Sequence, residues 1–233
     1  MLRGNEVHLW FADLRQPRQV VQAFSDMIST DEQARAGRFH HERDRRRYVI
    51  SRGLLRLILS RYLAVEARDL GFGYGEWGKP AIPESKNGSR LQFNVSHSAQ
   101  GVMYAIAPDR RVGIDIECIR TIPEADDIAD RFFSDDERRA CASASPRRRD
   151  EVFLELWTRR EAFLKALGHG WNAQVPAAAF SDIEGGHWPA WLVRTFRPTG
   201  EYIAAVAVEG DHCDFKEYCA VPRSMLAALG RAA

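Results

Sequence analysis

The 233-residue chain has few cysteines, little net charge and no long apolar run. Its N-terminal stretch, MLRGNEVHLWFADL, lacks the apolar core of a signal peptide, and no uncharged apolar segment is long enough to span a bilayer. No C-x-x-C pair occurs among the four cysteines, which argues against zinc and dithiol motifs. We therefore expect a soluble, cytoplasmic protein with reduced thiols and no membrane partner.

The net charge is only +1, but the positive charge is unevenly placed. Nine arginines lie between Arg35 and Arg61, accompanied by the acids Glu42 and Asp44. A basic region of this kind attracts phosphates or an acidic partner. A solvated helix face is the alternative interpretation.

Two short motifs lack the residues that nucleotide or ester hydrolysis needs. GYGEWGKP, residues 73–80, has P-loop spacing, but it ends in Pro80 instead of Ser or Thr, and turn residues follow instead of a helix. In NVSHS, residues 94–98, neighbouring side chains of a strand face opposite sides, so His97 cannot activate Ser96 as a nucleophile. Both hydrolase classes are therefore disfavoured, and Lys79 is either a phosphate or base contact or a turn lysine.

Hydrophobic periodicity predicts an order of strand, helices and strands that occurs twice. The first half is predicted to contain a strand over EVHLWFADL, helices near residues 17–28, over SDMISTDEQARAGRF and over Glu42–Leu63, and strands over LQFNVSHS and GVMYAIAP. In the second half, RVGIDIECI is expected to form a hairpin with GVMYAIAP, and a long helix begins near Pro146 and ends at Gly168. Strands are then expected over AAAFSDI, WPAWLVRTFRP, EYIAAVAVEG and CDFKEYCAVP.

This order predicts an α+β fold with a hinge near residues 108–111. We expect an N-terminal α+β lobe over residues 1–109. A C-terminal α+β lobe over residues 110–233 would carry the acidic residues described next. No sequence repeat relates the two halves.

The stretch RVGIDIE, residues 111–117, places two acids on one face of a predicted strand. Asp115 and Glu117 would lie roughly 6.5 Å apart, and at an effective dielectric near 20 they would repel by about 2–3 kcal/mol. A hard divalent cation would offset this repulsion, and Gly113 would leave open space beside it. The alternative is a solvent-facing strand with two harmless acids.

The helix predicted over residues 150–167 supplies a third acid. Glu161 falls at the edge of its apolar stripe, with Lys165 one turn further on. The pair is either an ordinary surface ion pair or a metal ligand beside a phosphate partner. Arg160 lies within the apolar stripe, where a guanidinium needs an anion or a carbonyl partner.

The arginine-rich helix divides into two faces. Arg45, Arg52 and Arg56 share one stripe, which is interpreted as its wet face. Arg47 instead aligns with the apolar side of the helix. It is therefore the arginine of this region that we expect to bind an anion.

With these residues in hand, the chain resembles the 4′-phosphopantetheinyl transferases, specifically the surfactin-type (Sfp-type) branch. The resemblance covers residues 78–165, with RRRYVISRGLLR upstream matching more loosely. Five motifs occur in the family's order: GKP (78–80), FNVSHS (93–98), GIDIE (113–117), RFFSDDE (131–137) and WTRREAFLK (157–165). One position differs, because the family commonly has Lys where this chain has Arg160.

The resemblance implies two similar α+β lobes about a pseudo-twofold axis, with coenzyme A in the cleft between them. It implies transfer of phosphopantetheine from coenzyme A to a serine of an apo acyl or peptidyl carrier protein, by a monomer that needs magnesium and releases adenosine 3′,5′-bisphosphate. Because the carrier supplies the nucleophile, this chain needs none. A coenzyme A or carrier-binding module without turnover is the alternative. Nucleic-acid binding through Arg35–Arg61 is disfavoured by the acids there and by the inward position of Arg47.

The same resemblance assigns roles to individual residues. Metal binding would fall to Asp115, Glu117 and Glu161, and Glu161 would also take the proton of the carrier serine. Lys165 would stabilise and protonate the departing phosphate. The remaining coenzyme A contacts would be Ser96 and His97 at the phosphates, Lys79 and Pro80 at the adenine end, and Arg47, with Arg35 as a second candidate, at the 3′-phosphate.

Overall fold

The structure is a computed structural model that describes residues 2–75, 79–83, 90–168, 187–188 and 191–219. The first half contains β1 (Glu6–Asp13), α1 (Arg18–Met27), α2 (Thr30–Ala36), α3 (Glu42–Leu63), a 3-10 turn (Ala67–Asp69), β2 (Gly73–Tyr74), β3 (Pro80–Ala81), β4 (Leu91–Ser98) and β5 (Gly101–Pro108). The second half contains β6 (Val112–Cys118), α4 (Ala125–Phe132), α5 (Asp135–Ser143), α6 (Arg149–Leu167), β7 (His187–Trp188), β8 (Trp191–Thr199), β9 (Tyr202–Glu209) and β10 (Asp214–Cys219).

Two four-stranded sheets confirm the predicted α+β architecture of two similar lobes. Their strand orders are β10-β1-β5-β4 and β6-β9-β8-β7. The antiparallel sets β1-β5-β4 and β6-β9-β8 have the same order, and each follows the pattern of one strand, then helices, then a hairpin. The second half of the chain therefore repeats the topology of the first.

The predicted hairpin between β5 and β6 is wrong. β6 pairs with β9, and β5 is flanked by β1 and β4. Both edges of β5 are therefore occupied, and the turn after Pro108 leads from one sheet to the other. The predicted strand over AAAFSDI lies outside the described residues.

The strand β10 joins the sheet of the first lobe, although it follows the second lobe in sequence. It pairs in parallel with β1, from Glu6 opposite Asp214 to Phe11 opposite Cys219. The last described strand therefore crosses from one lobe to the other. Among the described helices, none has the length and apolar character needed to cross a membrane.

The two sheets pack face to face between outer helices. Side chains from β1 and β5, such as Leu9 and Met103, meet Ile114 and Ile116 of β6 in a shared core. α1 and α3 cover the outer face of the first sheet, and α6 covers that of the second. Alternation along β6 thus places its isoleucines in the core and turns Gly113, Asp115 and Glu117 toward α6.

Gly113 is the point of closest approach between β6 and α6. A Cβ atom at this position would lie 2.0 Å from the carbonyl oxygen of Ala162 and 2.4 Å from the amide nitrogen of Ala166. The open space expected beside the acids is therefore absent at Gly113, because the helix backbone fills it. This glycine sets the depth at which α6 sits on the sheet.

The prediction that Arg52 and Arg56 lie on a solvent-exposed face of α3 is wrong. Both are buried, and their Nε atoms donate to the two carboxylate oxygens of Glu32, each at 2.7 Å. Arg56 also donates to the backbone carbonyls of Ala67 and Leu70. The helical periodicity of α3 alone could not reveal this arrangement, because the acid comes from α2.

Replacing Gly113 with Ala should destabilise the protein, because the obstructing atoms are backbone and cannot rotate away. We expect G113A to lower the free energy of unfolding by about 1–3 kcal/mol in urea titration. Gly200 has no atom within 4 Å of its potential Cβ, so G200A is the matched control. Equal stability of the two variants would contradict this account of the packing.

Replacing Glu32 with Gln should leave two buried guanidinium groups without a compensating charge. We expect E32Q to lower the free energy of unfolding by about 3–5 kcal/mol. Glu42 forms an exposed pair with Arg45, so E42Q should change stability by less than about 0.5 kcal/mol. Chemical denaturation of both variants tests the difference, and a mild effect of E32Q would count against the buried cluster.

Candidate functional site

Asp115 lies at the seam where β4, β6 and α6 meet. Its Oδ1 atom accepts hydrogen bonds from the Ser96 hydroxyl at 2.8 Å and from the Lys165 ammonium at 2.6 Å. Lys165 also donates to the Ser96 hydroxyl oxygen at 2.9 Å. Burial raises the pKa of Asp115, and Lys165 opposes that shift. Its other oxygen, Oδ2, is buried and accepts no hydrogen bond within the described part of the chain.

Glu117 lies two residues further along the same face of β6. Its Oε2 atom accepts hydrogen bonds from the Ser98 hydroxyl at 2.7 Å and from Arg120 at 3.1 Å. The side chain is less buried than Asp115. The two strand carboxylates are thus each matched by one serine of β4 and one cation.

Glu161 faces these acids from α6 and is itself buried. Burial, the charge of Asp115 and the charge of Glu117 raise its pKa to about 7, against the opposing effects of Lys165 and Arg160. The repulsion from both acids shows that the strand and helix carboxylates share one electrostatic environment. The structure therefore places Glu161 within electrostatic influence of the two strand acids that the sequence singled out.

The acids as they stand do not enclose a metal ion. No group of three or more His, Cys, Asp or Glu side chains among the described residues has the arrangement of a metal centre. Asp115 and Glu117 each direct an oxygen to a cationic side chain instead. The donor set nevertheless suits a hard cation, because it is all oxygen, carries excess negative charge and includes the unpartnered Oδ2 of Asp115.

Positive groups lie beside the acids on the side of α3. Arg47 donates to the side-chain oxygen of Gln100 at 3.2 Å and to Asp44 at 3.4 Å. Desolvation of the His97 imidazole lowers its pKa, and the charges of Lys165 and Arg47 lower it further. His97 is therefore under the electrostatic influence of two cations, which favours an anionic group near it.

Pro80 belongs to the short pair formed by β2 and β3, and Lys79 directly precedes it. Pro80 lies opposite Tyr74 in that pair. The Lys79 ammonium donates to the backbone carbonyls of Val112 at 3.3 Å and Lys165 at 2.8 Å. Burial, with a smaller effect of Arg111, lowers the pKa of Lys79 to about 8. The lysine thus contacts the two elements that carry the acids.

Arg160 has the buried anionic partner that its position in the apolar stripe required. Its Nη1 atom donates to Oε2 of Glu137 at 2.7 Å, and both side chains are buried. Glu137 also accepts from the Ser134 backbone in the capping box of α5. The sequence reasoning gave Glu137 no role, although the S-x-x-E pattern within RFFSDDE indicates the cap.

The polar face of β4 is a second feature that the sequence reasoning missed. The side-chain oxygen of Asn94 accepts from the amide of Ile114 at 2.9 Å, and the Ser98 hydroxyl accepts from the amide of Cys118 at 3.1 Å. These side chains satisfy amides on the edge of β6. Polar residues at alternate positions of FNVSHS were the available signal.

Arg35, the second candidate for an anion contact, is placed near the aromatic residues of α3 instead. Its guanidinium lies 5.8 Å from the centre of the Tyr48 ring. No contact between Arg35 and the acids at the seam is seen in the described part of the chain. Arg47 is therefore the better placed of the two arginines.

Comparison with known proteins gives a consistent result for both lobes. The family model described as 4′-phosphopantetheinyl transferase, N-terminal, matches residues 15–109, and that of the 4′-phosphopantetheinyl transferase superfamily matches residues 111–213. The chain is 36% identical over 213 residues to 4′-phosphopantetheinyl transferase HetI of Nostoc sp., covering 90% of each chain. It is 30% identical over 207 residues to 4′-phosphopantetheinyl transferase Sfp of Bacillus subtilis, covering 84% of this chain and 88% of that relative.

The raised pKa of Glu161 makes a prediction about stability in metal-free buffer. The native state holds this proton more tightly than the unfolded state, so ionisation of Glu161 opposes folding once the pH exceeds its ordinary pKa of 4.5. The contribution of Glu161 to stability should fall from about pH 4.5 to about pH 7, and E161Q should lack that loss. With EDTA present at pH 8, we expect E161Q to exceed the wild type by on the order of 3 kcal/mol.

Denaturant titrations of both proteins at pH 4 and pH 8 test this prediction. The advantage of E161Q should disappear near pH 4, where the wild-type carboxyl is protonated in both states. Glu155 is a partly exposed acid of the same helix, paired with Arg197, so E155Q is the matched control. An E161Q protein less stable than the wild type at pH 8 would contradict the assignment.

Proposed function

The chain belongs to the 4′-phosphopantetheinyl transferase superfamily, in its Sfp-like branch, and from this premise we propose that it modifies apo acyl or peptidyl carrier proteins. The 4′-phosphopantetheine group would come from coenzyme A, and adenosine 3′,5′-bisphosphate would be released. The observation that supports this proposal most directly is the meeting of Asp115, Glu161 and Lys165 at one buried seam.

In the proposed reaction, the serine oxygen of the carrier forms a bond to the β-phosphorus of coenzyme A. The bond from that phosphorus to the bridging pyrophosphate oxygen breaks. Glu161 accepts the serine proton as the general base. Lys165 faces the oxygen that departs with the nucleotide, where its ammonium stabilises the developing charge and supplies a proton.

Magnesium would be held by Asp115, Glu117 and Glu161, and when bound it neutralises charge on the pyrophosphate. In the metal-free arrangement, Lys165 and Arg120 compensate the strand carboxylates instead. With a cation held by the acids, Lys165 and Arg120 would no longer be needed to compensate them and would be available to the substrate phosphates. Burial raises the pKa of Glu161, and the additional repulsion from Asp115 and Glu117 supports the metal proposal.

The remaining candidate residues would surround the nucleotide. We assign Ser96 and His97 to the phosphates, and Arg47 to the 3′-phosphate. The pair of β2 and β3, with Lys79 and Pro80, would flank the adenine end. The electrostatic effects of both Lys165 and Arg47 on His97 support one continuous anion-binding surface.

Two alternatives receive less support. A binding module without turnover would not require buried acids that repel each other. Nucleic-acid binding loses two of its cations, because Arg52 and Arg56 are buried on Glu32. Two lobes in one chain support a monomer, and a substrate pool of coenzyme A and carrier proteins supports a cytoplasmic location.

The proposal predicts that the purified protein, with coenzyme A and magnesium, makes an apo carrier heavier by one phosphopantetheine. Intact-protein mass spectrometry over a panel of acyl and peptidyl carriers measures this gain. E161Q should reduce kcat at least 100-fold through loss of the base, whereas E155Q should stay within about twofold of the wild type.

The outcomes separate the hypotheses. Absence of a mass gain on every carrier would contradict the transferase proposal. Coenzyme A binding without a mass gain would favour the binding module, and full activity of E161Q would contradict the mechanism. Loss of the mass gain in EDTA, with recovery on addition of magnesium, is the result expected for the metal.

A further inference from the structure

We propose that Lys79 is a positioning residue, which fixes the backbone of α6 at Lys165 against the edge of β6 and thereby sets the contact between Lys165 and Asp115. The inference rests on the proposed function for its catalytic consequence, but the clamp itself is a property of the fold. It differs from a role for the Lys79 ammonium as a direct ligand of the nucleotide.

The contacts of the Lys79 ammonium carry the argument. It donates to the carbonyl of Val112, the first residue of β6, and to the carbonyl of Lys165 in the last turn of α6. Both acceptors are main-chain atoms, and the described residues form no salt bridge with this lysine. A half-buried cation that donates to two backbone carbonyls holds those two segments at a fixed separation.

Lys165 is thereby held at both ends. Its backbone carbonyl accepts from Lys79 at 2.8 Å, and its ammonium donates to Asp115 at 2.6 Å and to Ser96 at 2.9 Å. A displacement of the last turn of α6 would move the Lys165 side chain away from Asp115. Misplacements near 1 Å can reduce rates about 100-fold, so a backbone clamp at this point has a direct catalytic consequence.

Lys79 is itself carried by a segment anchored to the first lobe. Tyr74, which lies opposite Pro80, accepts a hydrogen bond from Arg52 at 2.9 Å. Arg52 is in turn fixed by the buried Glu32. A continuous set of contacts therefore runs from α2 through α3 and the β2–β3 pair to α6, and Lys79 makes the last contact of this set.

The test compares K79M, K79R and the matched control K216M, because Lys216 lies exposed on β10. Steady-state kinetics with a carrier protein should show kcat of K79M reduced at least tenfold, with KM for coenzyme A changed less than threefold. K79R retains donors that reach both carbonyls and should recover most of kcat. K216M should match the wild type in both constants.

A second measurement makes the outcome independent of turnover. Hydrogen exchange followed by mass spectrometry should be faster in the last turn of α6 in K79M than in the wild type, and unchanged in β5. K79R and K216M should exchange like the wild type. If the wild type modifies no carrier, this measurement still tests the clamp.

Two results would overturn the inference. One is a K79M protein whose KM for coenzyme A rises tenfold or more while kcat stays intact, which would identify Lys79 as a ligand contact. The other is unchanged exchange at the end of α6 in K79M. A K79M protein that does not fold leaves K79R to decide, because a clamp predicts near-normal kcat and normal exchange for that variant.

Discussion

The organising constraint in this protein is the close seating of α6 on β6. A helix can approach a strand this closely only where a side chain is missing, and Gly113 provides that place. The same approach brings Glu161 toward Asp115 and Glu117, so like charges become neighbours in a buried seam. Serines of β4, Arg120 and Lys165 then compensate the strand acids. The close packing of α6 on β6 and the clustering of charged side chains at the seam therefore have the same structural cause.

Each lobe contains a capping-box glutamate that binds an arginine of its long helix. In the first, Ser29 and Glu32 form the capping box of α2, and Glu32 binds arginines of α3. In the second, Ser134 and Glu137 cap α5, and Glu137 binds Arg160 of α6. A short capped helix thus locks each long helix through one buried acid. The repeat involves so few residues that comparison of the two halves of the sequence does not reveal it.

Local signals in the sequence were sufficient to predict the bounds of the long helices and the faces of the strands. The predictions that failed concerned strand pairing and arginine burial, which depend on long-range contacts. Helix α3 has the predicted bounds, and α6 ends at Gly168 in the left-handed conformation that a terminal glycine favours. Alternation placed Asp115 and Glu117 on one face, and the motifs selected Glu161 as their partner. The partner of β6, however, depends on which strand edges are already filled, and the burial of Arg56 depends on an acid 24 residues away.

The pairing of β10 with the first sheet affects how the protein folds during its synthesis. A nascent chain on the ribosome exposes the outer edge of β1 until residues 214–219 have been synthesised, because β10, which covers that edge, follows the other described strands in sequence. Unpaired edges of this kind promote misassembly between chains. Cutting the chain between the two halves would therefore leave β1 with an unpaired strand edge that promotes aggregation. Any split-protein or fusion design based on this scaffold has to keep β10 with the first lobe.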